Sequence, residues 1–173
     1  MGRRDQGVDQ SRGRYHVVPR TLCFITHGTD VLLLKGAPTK RLWPNRYNGV
    51  GGHVERNEDI FTAALREMTE ETGLAVDDVR LRAVIHIDVD DPQVGILLFV
   101  FTARACGRNF RPSSEGTLEW VPQARLLDYE LVEDLVDLLP RVLAMGPHDS
   151  PLFGRYCYDE DDQLRIEWAN TVT

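Results

Sequence analysis

The chain has no apolar run approaching the roughly 20 residues needed to cross a bilayer, so no membrane partner is expected. Its opening segment, MGRRDQGVDQSRGRYH, is polar and arginine-bearing with no apolar stretch behind it, unlike a secretory signal. Cysteine is scarce. Cys23, Cys106 and Cys157 are odd in number, lie among apolar or small residues and show no metal-ligand spacing. They read as reduced core thiols, which suits a cytoplasmic protein. Positive charge is also short, with 20 Lys and Arg against 27 Asp and Glu and a net charge of −7. That deficit excludes the broad cationic surface by which nucleic-acid polymers are held. A small anionic ligand remains open, provided a cation mediates.

What is present suits one domain. A length of 173 residues is enough to bury a real core. Residues 1–14 read as a loose tail and 15–173 as a single domain. RTLCFITHG and DVLLLKG are β-rich runs flanking Gly28-Thr29-Asp30, a hairpin signal. VRLRAVIHIDV and VGILLFVFTARA predict a second hairpin about residues 90–93, the latter run apolar enough for a central strand. GTLEWVP is a further strand, and LFGRYCY and QLRIEW predict a third hairpin about residues 159–162. ELVEDLVDLLPRVLAM carries apolar residues at helical spacing, with Pro140 expected to bend or end the helix. APTKRLWPNRYNG reads as a loop. Mixed strands with few helices predict the α/β class, a sandwich built on a mixed β-sheet with antiparallel hairpins.

Residues 59–72 contain neither proline nor glycine and are rich in Ala, Glu, Met and Leu, which predicts a helix. Asn57 or Asp59 can cap its start, and Gly73 suits the left-handed position after its end. Phe61, Leu65 and Met68 form an expected apolar stripe. Glu67, Glu70 and Glu71 share an arc of roughly 100° beside it. Like charges so placed repel, and Arg66 is the one basic neighbour. Carboxylates crowded on one face suit hard cations, whereas a plain solvated acidic face needs no fixed spacing.

The spacing is fixed. Gly52, Glu58, Arg66, Glu67, Met68, Glu70, Glu71, Gly73 and Leu74 match G-x5-E-x7-R-E-U-x-E-E-x-G-U, where U is a bulky aliphatic residue. This resembles the signature box of the Nudix hydrolases, and the order of strands and helices is similar to that family's α/β/α sandwich. The resemblance implies hydrolysis of a nucleoside diphosphate linked to another group, with Mg²⁺ or Mn²⁺ held by the box glutamates. It implies that Glu70 and Glu71 are principal metal ligands and that Glu67 is a ligand or general base. By the same resemblance the Gly51 carbonyl completes the coordination, and Glu58 with Arg66 holds loop against helix. Gly52 permits close backbone approach. A carboxylate outside the box is expected to join the site, with Glu115 placed as in MutT-type members and Glu119 and Glu55 as competitors.

The segment NRYNGVGGHVE resembles one in the animal enzymes that hydrolyse oxidised purine nucleoside triphosphates, where an asparagine contacts the base. Asn48 stands at that place, with Tyr47 for a tryptophan and His53 for a lysine. Asn48 presents a donor and an acceptor to a base edge; a turn residue before Gly49 is the other reading. Tyr156 and Trp168 read as core aromatics that could reach a ligand. Pro92, near where ADP-ribose members carry a proline, is explained by a turn. The expected partner is a small nucleotide, most plausibly a purine triphosphate. ADP-ribose, nucleotide sugars and dinucleoside polyphosphates are alternatives, as is a non-catalytic nucleotide sensor. A homodimer is compatible with all of these.

Overall fold

The computed structural model describes residues 13–169, so most of the expected tail lies outside the described residues. Eight strands form one mixed sheet: β1 (His16–His27), β2 (Asp30–Gly36), β3 (Tyr47–Asn48), β4 (Val76–Ile87), β5 (Val94–Ala105), β6 (Gly116–Pro122), β7 (Leu152–Tyr158) and β8 (Leu164–Trp168). The order is β3-β2-β1-β5-β4-β7-β8, with β6 on β2. All three expected hairpins form, as β1–β2, β4–β5 and β7–β8. The nearly all-apolar β5 is central, parallel to β1 and antiparallel to β4.

A helix covers each face, which makes the three layers of the sandwich. The helix α1 (Ile60–Thr72) lies with Cys23, Ile25 and Phe101 on one side. On the other, α2 (Leu135–Ala144) packs with Phe24, Ile85, Val100 and Tyr156. The caps of α1 are those expected. The Asp59 carboxylate accepts from the Phe61 and Thr62 amides, and Gly73 takes a left-handed φ of 70°.

Three expectations are corrected. Phe61 is 47% exposed, leaning its edge on Phe101, because Ala63, Ala64, Met68 and Thr72 form the buried face. Alanines there permit close approach to the sheet, which leaves a phenyl ring only the margin. Of the two effects expected of Pro140, bending or ending the helix, ending is excluded, because α2 runs through it. The proline faces solvent, where water can satisfy the Val136 carbonyl it cannot bond, while Leu135, Leu138, Leu139 and Val142 hold the helix to the sheet. Of the cysteines only Cys23 is core. Cys157 is partly buried and Cys106 is exposed just after β5, although all three are free thiols.

Candidate functional site

The box loop is laid along the free edge of β1. The Thr21 amide donates to the Gly52 carbonyl (2.8 Å), Cys23 and Val50 exchange backbone bonds, and the Val54 amide donates to the Pro19 carbonyl. This edge is open because β2 pairs with β1 only at residues 25–27 before diverging to β6 and β3. Strand alternation then sorts the side chains: Cys23 and Ile25 turn to α1, whereas Leu22 and Phe24 turn to the α2 side.

Arg66 fastens this loop to α1. Its Nε and Nη2 donate to Glu58 Oε2 (3.0 Å) and Oε1 (2.7 Å), and Nη2 also reaches the His53 carbonyl. Its Nη1 donates to Glu67 Oε1 (2.9 Å) and Glu70 Oε2 (3.1 Å). Glu58 in turn accepts from the Glu55 amide. Both contacts hold the Glu58 carboxyl below its ordinary range, the guanidinium having the larger effect.

Behind Arg66 lie the less exposed carboxylates. Glu67 presses against Gly52, where an added Cβ would stand 2.5 Å from Oε1. The close approach permitted by Gly52 is therefore that of a glutamate of the chain itself. Glu71 Oε2 is buried with no hydrogen-bond partner. Burial first, then the charges of Glu115 and Glu67, push the Glu71 carboxyl up to about 8, with the Gly51 amide and Lys40 opposing. A buried carboxylate oxygen without a proton donor, set among further carboxylates, fits a hard divalent cation. Among the described residues no three acidic, histidine or cysteine side chains are already drawn to one point. Glu70 is 62% exposed at its side chain and, like Glu67, leans on Arg66.

A cavity of about 670 Å³ opens beside these groups, within the range of small-molecule sites. Asn48, Gly51, Gly52, Glu71 and Glu115 all line it. Asn48 Oδ1 accepts from the Gly49 amide (2.8 Å), so the turn reading is satisfied without moving Asn48 from the wall. Glu115 is bound by Lys40 Nζ at 2.6 Å. Glu119 instead accepts from the Tyr47 and Tyr129 hydroxyls, and neither it nor Glu55 lines the cavity. Pro92 sits in the β4–β5 turn, where Asp91 caps the Gln93 and Val94 amides.

Several lining residues escaped the sequence reading. The apolar Leu22, Ile96 and Leu98 line the cavity, as do Glu133 and Asp134, together with Tyr156, which the sequence did single out. Tyr156 is buried as expected of a core aromatic, yet its hydroxyl has no partner. Burial, with a smaller push from Glu133, raises the Asp134 carboxyl to about 6. In the sequence Asp134 was one more acid between apolar residues. Trp168 stands behind Tyr156 and donates to Asp137. Arg20 also lines the cavity, on the same strand register as Leu22 and Phe24.

Comparison with known proteins agrees with this fold. The chain is 30% identical over 104 residues to the uncharacterized Nudix hydrolase YvcI of Bacillus subtilis, covering 58% of this chain and 63% of that protein. It is 39% identical over 70 residues to the mouse oxidized purine nucleoside triphosphate hydrolase, covering 40% and 42% respectively. Under two thirds of either relative's length is thus matched. The crystal structure of a MutT protein from Bacillus halodurans superposes with a TM-score of 0.72 at 25% identity, covering 87% of this chain and 97% of that one. The NUDIX domain family model matches residues 16–142, from the first strand through the second helix, and the chain belongs to the Nudix family.

Proposed function

We propose that the chain is a Mg²⁺- or Mn²⁺-dependent pyrophosphohydrolase of the cytoplasm, cleaving a purine nucleoside triphosphate, oxidised forms included, to the monophosphate and pyrophosphate. One observation carries this reading: a single cavity is lined by Asn48, by the apolar Leu22, Ile96 and Leu98, and by Glu71 and Glu115. The flat face of a purine base would lie on those apolar side chains, with Asn48 at its polar edge and the phosphates toward the carboxylates. Glu67, Glu70, Glu71 and the Gly51 carbonyl would hold the cation, with Glu115 added once Lys40 lets it go. When bound, a divalent cation would supply positive charge that offsets the charge building on the transferred and leaving oxygens.

The chain's own groups do the rest. Arg66 holds Glu67 and Glu70 on one side and the loop carbonyl of His53 on the other, so ligand geometry depends on it. Glu67, fixed between Arg66 and Gly52, takes the proton of the attacking water. Asn48 orients the base from the cavity wall. The similarity to the mouse enzyme supports the purine triphosphate class. A Mg²⁺-dependent screen of oxidised and ordinary nucleoside triphosphates, ADP-ribose, nucleotide sugars and dinucleoside polyphosphates tests the reading. An oxidised purine triphosphate should give the highest kcat/KM. ADP-ribose in first place would overturn the substrate, and no turnover of any compound would overturn the activity.

A further inference from the structure

We propose that Arg20, Arg41 and Arg46 form a metal-independent binding wall for the phosphate chain of the ligand. The ligand is then gripped from two sides, by carboxylate-held cation and by guanidinium. The inference rests on the reading that this cavity takes a polyphosphate.

Pairing sets these arginines apart. Arg66, Arg80, Arg104, Arg141, Arg155 and Arg165 each hold a carboxylate, as expected in a chain of net charge −7. Among the described residues the side chains of Arg20, Arg41, Arg46 and Arg56 make no hydrogen bond or ion pair. Three of these four line the same cavity. Acids were available to neutralise them, since Glu71, Glu115, Glu133 and Asp134 line it too. Lys40 takes Glu115 and leaves the arginines free.

Arg20 is the least expected. It stands on the apolar-facing register of β1, and its Nε is buried with no partner. A buried donor left unbonded is costly, and a ligand oxygen would relieve that cost. Arg41 and Arg46 come from the loop between β2 and β3, which is built rather than loose. The Asn45 amide donates to the Gly36 carbonyl and the Gly36 amide to the Arg46 carbonyl, both at 3.0 Å. Trp43 and Asn45 hold left-handed φ values of 51° and 62°. A Cβ on Gly36 would stand 2.8 Å from the Trp43 carbonyl, so glycine is required for the loop to fold back. Arginine rather than lysine suits the task, because its planar fork matches two phosphate oxygens at once. An overall negative chain repels a polyphosphate, and unpaired guanidinium groups in the cavity wall offset that repulsion locally.

The test is calorimetric titration of the full-length protein with inorganic tripolyphosphate in EDTA at low salt. Wild type should bind, more weakly as salt rises. Arg20→Ala and the double variant Arg41→Ala/Arg46→Ala should each weaken binding about tenfold or more, the scale of a lost charge-assisted hydrogen bond. Arg20→Lys should fall between wild type and Arg20→Ala. Arg56→Ala, equally unpaired but off the cavity, should bind as wild type does. Absence of metal-free binding in wild type, or equal losses for Arg56→Ala and the cavity variants, would overturn the proposal. The two surface arginines keep the test valid should Arg20→Ala misfold. Tripolyphosphate binding with no hydrolysis of any nucleotide would sink the enzymatic reading alone. Hydrolysis without metal-free binding would sink the arginine wall alone.

Discussion

Adjacent glycines of the box loop should fail in opposite ways when each becomes alanine. At Gly52 the new methyl meets only the end of a side chain, Glu67 Oε1 at 2.5 Å, Cδ at 2.8 Å and Oε2 at 3.0 Å. Normal separation is about 3.5 Å, so the carboxylate must retreat by about 1 Å. The backbone of Gly52 needs no left-handed φ. The stability loss should stay near 1 kcal/mol, or about 2–4 °C in Tm for a chain of this size. Activity should suffer far more, because a displacement of about 1 Å in a catalytic group costs on the order of 100-fold. At Gly51 φ is 149°, and a Cβ would run into the Thr21 carbonyl, which is backbone of β1. Strain of this kind costs about 1–3 kcal/mol; with the clash added the loss should reach about 3 kcal/mol, a drop in Tm of about 6–12 °C. Differential scanning calorimetry and steady-state kinetics on both variants separate the cases. Combining Gly52→Ala with Glu67→Ala should cost no more stability than Glu67→Ala alone, since the clash is gone. A Gly52→Ala enzyme within about threefold of wild type would refute the placement of Glu67, as would equal Tm losses for the two glycine variants.

Asn48→Ala should chiefly raise KM for the preferred purine triphosphate, lowering kcat/KM about 5- to 150-fold; an equal loss for dCTP would return Asn48 to a purely turn-forming role. Glu58→Gln and Arg66→Ala should each weaken metal affinity, and the double variant should lose less than the sum; strict additivity in a double-mutant cycle would contradict the pairing. Asp134 has its carboxyl raised from 3.8 to about 6, so ionising it penalises the folded state, and stability falls as pH rises through that window. Asp134→Asn should therefore raise Tm at pH 8 and leave it nearly unchanged at pH 4, whereas an equal gain at both would deny the burial penalty.

Local features of the fold were legible in the sequence, and long-range ones were not. The helix at 60–72 announced itself through Asp59, Gly73 and the absence of breakers, and the hairpins through their turn residues. Box spacing brought Glu58 to Arg66 and Glu71 to the cavity, because a helix turn converts sequence distance directly into position. What stayed hidden depends on which strand lies beside which. The parallel pairing of β1 with β5, across nearly eighty residues of sequence, sets Arg20 on the cavity wall. Phe61 was misplaced because the two alanines beside it, not the largest apolar residue, set the buried face. Asp134 was not singled out by the sequence; it gains its setting because Tyr156, on the next strand, lines the same cavity. Glu115 and Glu119, four residues apart, could be told apart only by their partners, Lys40 in the cavity and Tyr47 with Tyr129 beside it.

The claim that the α1 carboxylates form a metal-dependent pyrophosphohydrolase centre is tested most directly by phosphorus NMR of oxidised dGTP hydrolysis, with wild type and Glu71→Gln side by side. Wild type in Mg²⁺ should yield monophosphate and pyrophosphate and stop in EDTA, and Glu71→Gln should be folded yet slower by about 1,000-fold or more. Orthophosphate as the first product, turnover surviving in EDTA, or a Glu71→Gln rate within about threefold of wild type would contradict it.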